Sequence, residues 1–448
     1  MSLASDRKLP SWWLAGLFVA AIFIGDVWLV KLTLPVSMLV LPFLFLRRDQ
    51  LSIRLPPAAI PLLSLGAIIG LQFASNFWNP AFRWKSDLAV WLPLVFGGVT
   101  VIAIRPWTLS DARARQAMIV GGAITSGIML GMMVFAPKGL FIVPGQDATH
   151  VEAIYAGERA QSAARAETPI LAPVAPVAPA RPVKGTAAPA TAQPSSPAVA
   201  TPAGREAFAT EMQQGDQAFY NLKNRARNAL GLSNYIAVFL LFLFAVTLFS
   251  GAPLLATAFA ICTVLTLSRF GIAFLAIVWA VYFLRSRFRP INAALVWSAM
   301  VAAGLVVAYV FRSDLANIPG ITSVTIRFEY WRSGIVALLD HPLFGAPRSV
   351  FLVELGNSVT WNPHNSVLWV AVNFGLIGLA AYLAYVGIVM REVAKAAETS
   401  PLFTGAFVGL ALVLVWSLVE IIALTPAFEI LMAATYSLAL NRNRMALA

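Results

Sequence analysis

One of the chain's three histidines, His364, sits in Trp361-Asn362-Pro363-His364-Asn365. An apolar run follows at once, opening Ser366-Val367-Leu368-Trp369 and continuing through Gly375-Leu376-Ile377-Gly378. That placement puts a proton-accepting group at a membrane face, where a lipid-borne substrate meets water. Imidazole titrates near ambient pH and accepts a proton without carrying a prior charge, so the chemistry it suits is activation of an attacking hydroxyl. The competing reading is a histidine that is merely hydrogen-bonded. His341 precedes Pro342 at a predicted helix end and reads as structural; His150 lies near a low-complexity stretch and has no evident partners.

Arginines form the second group. Arg269, Arg312, Arg327, Arg332 and Arg348 fall in connections on the same side as His364. Planar guanidinium groups bind phosphate oxygens through charge-assisted, often bidentate hydrogen bonds. An anionic leaving group gains charge in its transition state, so fixed cations there would stabilise it more than the ground state. We assign this role to Arg269 and Arg327, against snorkelling for the first and a salt bridge for the second. Arg332 and Arg348 are further substrate-binding candidates, and Arg225 and Arg227 are weaker ones.

Carboxylates offer a competing acid-base scheme through Asp26, Glu329 or Glu420. Intramembrane carboxylates default to functional hypotheses, and Glu420 is placed to orient a catalytic group or to touch an acceptor. No His, Asp and Glu cluster has metal-ligand spacing, and no Gly-rich loop resembles a nucleotide phosphate site. Cys262 is the only cysteine, so no disulfide or thiolate metal site is available. We therefore expect neither metal nor cofactor.

The elements that must position these groups follow from composition. At 448 residues, 59% hydrophobic and 12% charged, with a mean hydropathy of +0.77, the chain cannot hide its apolar surface in a water-soluble core. Runs of about 20 apolar residues, enough to cross ~30 Å of hydrocarbon, recur from end to end. No alternating strand pattern competes, and only helices or closed barrels satisfy their backbone in lipid. The expected fold is all-α, a polytopic transmembrane bundle of about twelve spans with a periplasmic helical loop. The spans are placed near 12–30, 33–46, 57–74, 87–104, 116–135, 231–250, 252–267, 270–284, 291–310, 365–389, 402–422 and 425–440. The opening run reads as a retained first span, with no cleavage signal.

Lys and Arg bias sets the orientation. Clusters such as Arg47-Arg48 and Arg285, Arg287 and Arg289 alternate with short connections holding Lys31, Arg83, Lys85 and Arg269. Both termini are thereby assigned to the cytoplasm and His364 to the outer face of the membrane. The net charge of +12 is explained by topology and lipid contact, not by a folded basic patch, so nucleic acid is not an expected partner.

Five regions result. Residues 1–135 are N-terminal transmembrane helices, and 136–230 a periplasmic insertion, Ala/Pro-rich and expected to be disordered across about 165–205. Residues 231–310 are central transmembrane helices, and 365–448 the C-terminal ones. Between them, 311–364 is a periplasmic amphipathic loop with the active site. Apolar residues from Ile326 to Leu339 recur at spacings of three and four, which predicts a helix ended by Pro342. Arg327 and Trp331 share a face of it, whereas Arg332 is about 140° round from Arg327.

The order Gly231-Leu232-Ser233-Asn234-Tyr235, then Leu267-Ser268-Arg269, Arg327 with Trp331, His341-Pro342-Leu343-Phe344-Gly345, and His364-Asn365 before Gly375-Leu376-Ile377-Gly378 resembles the O-antigen ligase and polymerase superfamily. The likeness covers about 215–390. It implies a glycosyltransferase of polysaccharide biosynthesis that moves a glycan from an undecaprenyl-diphosphate carrier to an acceptor hydroxyl, without nucleotide sugar or metal. The acceptor is lipid A-core in ligases of lipopolysaccharide assembly and a second lipid-linked glycan in polymerases. His364 would be the base of an inverting displacement, with Asn234 and Asn365 among the residues that bind or orient substrate. Two features depart from the family's usual pattern: the insertion before Gly231, and Gly345-Ala346-Pro347 where a second glycine is common. The rival class is a transporter or flippase of lipid-linked sugars; its binding groups would gather near the midplane on interrupted helices, whereas the unusual charges here gather at one edge.

Overall fold

The computed structural model describes residues 56–104, 233–266, 268–311, 322–354 and 363–447, with single positions between 112 and 127. The expected spans 12–30 and 33–46, most of 116–135, and the insertion 136–230 lie outside them. So do Asp26, His150, Arg225, Arg227 and Arg312. The described residues belong to one unit, Met1–Leu140 with Lys223–Ala448, and contain helices and no strands.

Eleven α-helices are defined among the described residues. In chain order they are α1 (Ala59–Asn76), α2 (Trp84–Ile104), α3 (Ser233–Phe249), α4 (Pro253–Leu265), α5 (Arg269–Phe283), α6 (Pro290–Val310), α7 (Thr322–Asp340), α8 (Arg348–Glu354), α9 (Ser366–Ala397), α10 (Pro401–Trp416) and α11 (Pro426–Leu447). Local chemistry sets many of the boundaries. Proline, whose missing N–H costs nothing in a first turn, opens α4, α6, α10 and α11. Ser268 and Asn365 cap α5 and α9, their side chains accepting from the backbone N–H groups of Gly271 and Leu368.

Four of these helical segments are long and apolar enough to cross a membrane: Ala59–Asn76, Arg269–Ser286, Pro290–Val310 and Ser366–Ala397. Shorter apolar helices surround them, and α3 and α10 form the buried centre. In lipid no hydrophobic force draws helices together, so close approach of backbones does much of the work. Gly405 of α10 is where α3 comes closest: a Cβ there would lie 2.6 Å from the carbonyl oxygen of Ala245. The helix α9 packs against α1, α7, α10 and α11, which makes it the post around which the rest is arranged. A buried hydrogen bond from the Tyr382 hydroxyl to Glu429 (2.7 Å) ties α9 to α11.

Two expectations need correction. The span placed at 402–422 stops being helical at Trp416, and residues from Ser417 to Thr425 form a folded-back connection leading to α11. Glu420 therefore lies in irregular backbone and not at the end of a helix. The span placed at 365–389 is longer than expected and is interrupted at Gly375, whose φ of 68° and ψ of −175° are non-helical.

Candidate active site

His364 is held in a left-handed backbone conformation, φ 44°, one residue before the cap of α9. For a residue other than glycine such a conformation costs about 1–3 kcal/mol and persists only where its surroundings fix it. They do so here. The imidazole stacks on Tyr330 of α7, with ring centroids 5.6 Å apart and an interplanar angle of 22°. Its Nδ1 lies 2.9 Å from Glu420 Oε1. A carboxylate only accepts, so the ring proton belongs on Nδ1 and the acceptor lone pair on Nε2.

Glu420 is 3% exposed. Oε1 takes the imidazole and also accepts a long bond from the Ile421 N–H (3.4 Å), and Oε2 lies 3.3 Å from Arg327 Nη2. Irregular buried backbone needs its polar groups satisfied, and Ser366, the first residue of α9, does this for the segment around Glu420. Its hydroxyl donates to the Glu420 carbonyl at 3.0 Å and accepts from the N–H groups of Ile422 (2.8 Å) and Ala423 (3.0 Å). Its own N–H donates to the Ser417 carbonyl at 2.7 Å. One donor and two acceptor sites are all that a hydroxyl has. Ser366 therefore locks the carboxylate's segment to the helix that begins beside His364.

Arg327 reaches this carboxylate from the half-buried face of α7. Its Cζ also lies 5.8 Å from the ring centroid of Phe270, which in turn sits 6.3 Å from the Trp416 ring. These contacts bring the first turn of α5 to the site, and Arg269, exposed on that turn, adjoins Phe270 in the chain. Arg332 is exposed on α7, away from the buried pairing of Arg327, as the wheel geometry requires.

Arg348 opens α8, with its Cζ 5.9 Å from the ring of Trp369, one turn into α9. Beside it, Asp87 of α2 accepts from the N–H (2.9 Å) and the hydroxyl (2.6 Å) of Ser349. This carboxylate anchors the start of α8. Asn365 serves the fold as the cap already described. Asn234 lies in the first turn of α3, Glu329 in α7, and His341 directly after α7. His364, Glu420 and Arg327 are thus brought together, and Arg269 precedes Phe270, whose ring faces Arg327; Arg332 lies elsewhere on α7 and Arg348 on α8.

The loop Pro342 to Ala346 is inserted into the break in α9. At Gly375 the helical ladder loses its bonds from Leu376 and Ile377, and four of the freed groups find partners outside the helix. Leu376 N–H donates to the Pro342 carbonyl (2.8 Å) and Ile377 N–H to that of Leu343 (3.2 Å). The Val372 carbonyl accepts from Ala346 N–H (3.2 Å), and the Asn373 carbonyl accepts from the side-chain amide of Gln72 at 2.5 Å. The same amide donates to the Phe344 carbonyl at 2.8 Å. Unsatisfied backbone at this depth would cost several kcal/mol per group. Gly345 and Gly375 both have positive φ, 66° and 68°; Gly345 lies against the backbone of Asn373 to Gly375 and Gly375 against that of Leu343 and Phe344, leaving no room for a Cβ at either. The His-Pro-Leu-Phe-Gly stretch and the glycine-rich span are therefore two halves of one joint. Its effect is to fix α7, and hence Arg327 and Tyr330, relative to α9.

Gln72, Ser366, Tyr330, Phe270 and the Asp87–Ser349 pair were not singled out by sequence reasoning. Only Ser366 carried a signal, its position directly after His364-Asn365. Among the described residues, no group of three or more His, Cys, Asp or Glu side chains could hold a metal ion.

Residues 236–383 match the family model described as O-antigen ligase. Over that stretch the chain is similar to the O-antigen ligase family, which supports the resemblance read from its motifs. No curated protein matches the chain at a significant level. The matched stretch contains Arg269, Arg327 and His364 but ends before Glu420, which the fold returns to it from α10's far end.

Proposed function

We propose that the protein is a membrane glycosyltransferase of the O-antigen ligase kind. It moves a glycan from an undecaprenyl-diphosphate carrier to an acceptor hydroxyl on the periplasmic face of a bacterial inner membrane, with inversion and independently of metal. The observation that carries this reading is the bridge made by Glu420, 2.9 Å from His364 Nδ1 and 3.3 Å from Arg327 Nη2. The family match supports transfer of a lipid-linked glycan in general; the carrier and acceptor follow from the resemblance.

In this reading His364 Nε2 takes the acceptor's proton as the hydroxyl oxygen attacks the anomeric carbon. The bond to the diphosphate oxygen breaks on the opposite face of the sugar, and the leaving group departs with the electron pair. Glu420 fixes the ring's tautomer and stabilises the imidazolium that forms, the role a buried carboxylate has beside a catalytic imidazole. Arg327 offsets the carboxylate's charge and, with Arg269, faces the charge that develops on the diphosphate. Asn365 holds the helix start that aims the ring.

The test is reconstitution. Purified protein in lipid vesicles receives an undecaprenyl-diphosphate glycan and lipid A-core, and the products are separated by gel. A lipid A-linked glycan supports the ligase reading, and a ladder of lengthened lipid-linked chains identifies a polymerase. Vectorial movement of intact lipid-linked sugar without transfer would replace both with a transporter.

A further inference from the structure

A second site lies at the other end of α9. Past its break at Gly375 that helix continues from Leu376 to Ala397, roughly 33 Å at about 1.5 Å per residue and long enough to cross hydrocarbon, which carries its far end away from His364. There the ends of α3, α5, α9 and α10 and the start of α6 surround a cleft of about 720 Å³. Tyr282, Arg285, Ser286, Thr399, Ser400 and Thr404 contribute to its lining.

The cleft is cationic and built. Arg285 is held in place by its own turn: its Cζ sits 3.5 Å from the Tyr282 ring centroid and its Nη1 donates to the Tyr282 carbonyl at 3.2 Å. Arg442 of α11 donates to the carbonyl of Thr399, a lining residue, at 3.3 Å. Arg287 and Arg289 follow Arg285 in the chain and are exposed. Glu398 is the one acidic lining residue and Arg285 the one basic one; the excess positive charge comes from Arg442, on the Thr399 carbonyl, and from Arg287 and Arg289 next in the chain. Directly beside this charge lie exposed apolar side chains, with Leu254 88%, Phe283 69% and Phe288 58% exposed.

We infer that this cleft binds the head group of an anionic phospholipid. The phosphate sits between Arg285 and Arg442 with the hydroxyl of Ser286 as a further donor, and the acyl chains lie along Phe283, Phe288 and Leu254. A free anion has no use for the apolar skirt, and a neutral lipid none for the guanidiniums; an anionic lipid uses both. The glycan transfer proposed above neither requires this ligand nor predicts it.

Binding is tested on the full chain, purified in detergent and titrated with phosphatidylglycerol or phosphatidylcholine, with bound lipid counted by native mass spectrometry. The unaltered protein should retain phosphatidylglycerol in preference. Loss of one charge-assisted contact should weaken that binding about tenfold in Arg285→Gln and in Arg442→Gln. Arg391→Gln, an exposed arginine on the same helix end outside the cleft, should leave it unchanged. Equal retention of the two lipids, an equal loss in Arg391→Gln, or displacement by inorganic phosphate would each overturn the proposal. Arg285 is exposed and its contacts stay within its own turn, so its variant keeps the test open if Arg442→Gln does not fold.

Discussion

The Glu420 carboxylate lies between one group that only donates, Arg327, and one whose proton it must fix, His364. Replacing it with glutamine reverses that second effect. The amide oxygen of a glutamine at 420 turns to the guanidinium, and its NH2 then faces Nδ1 and forces the ring proton onto Nε2, where it blocks base action. Glu420→Gln should lower kcat by about 10²-fold or more with little change in thermal stability. His364→Ala should lower it by about 10²–10⁴-fold, the usual contribution of general-base catalysis. Transfer assays on vesicle-embedded protein check both. Unaltered rates in His364→Ala would remove it as the base.

Arg327 and Arg332 are adjacent-turn neighbours with different fates. Arg327→Ala leaves a buried carboxylate without its cation, which costs about 3–5 kcal/mol where an ion pair is buried and less at this partly open site. It should reduce both melting temperature and transfer. Arg332→Ala, at an exposed position, should change stability by less than about 0.5 kcal/mol. Thermal melts and rates on the two variants side by side separate the roles.

Ser366→Ala removes a hydroxyl that satisfies three backbone groups. Each buried group left unsatisfied costs about 1–3 kcal/mol, so the melting temperature should fall. The connection carrying Glu420 should loosen with it, which amide hydrogen exchange at 417–424 would report. Unchanged exchange in that segment would show that Ser366 does not fasten it.

The joint in α9 gives a glycine test with an internal control. Gly375→Ala forces a Cβ into the Leu343 carbonyl and a backbone region that only glycine occupies without strain, costing about 1–3 kcal/mol from the backbone alone. Gly387, on the same helix, has nothing within 4 Å of a built Cβ. Gly387→Ala should be neutral or stabilise by up to about 1 kcal/mol. Melting curves in detergent distinguish them.

Much of the helical layout was legible in the sequence. Apolar runs are a local signal and place α3 to α6 within about two residues; the opening prolines and the Ser268 and Asn365 caps are local too, but the span positions do not rest on them. The periodicity from Ile326 to Leu339 found α7 and separated Arg327 from Arg332. The break at Gly375 was not legible, because Asn373-Phe374-Gly375-Leu376 reads as continuous span until a loop from 342–346 and the amide of Gln72 are seen to replace the missing bonds. The same limit hid the connection after Trp416. Ser417 to Ile422 is apolar enough to pass for helix, and only the hydroxyl of Ser366, about fifty residues away, explains why it is not. Glu420 could be suspected as a lone carboxylate in an apolar stretch; its pairing with His364 and Arg327 is a property of the tertiary fold.

The joint at Gly375 also bears on assembly. Its backbone groups are completed by α1, which is made early, and by the loop after α7, made just before α9 itself. Until all three meet, the upper nine residues of α9 would sit in hydrocarbon with open amides and carbonyls, an arrangement lipid penalises severely. The N-terminal part of this helix should therefore settle only as the loop and Gln72 close upon it, so that the imidazole acquires its orientation in the same event that seals the bundle.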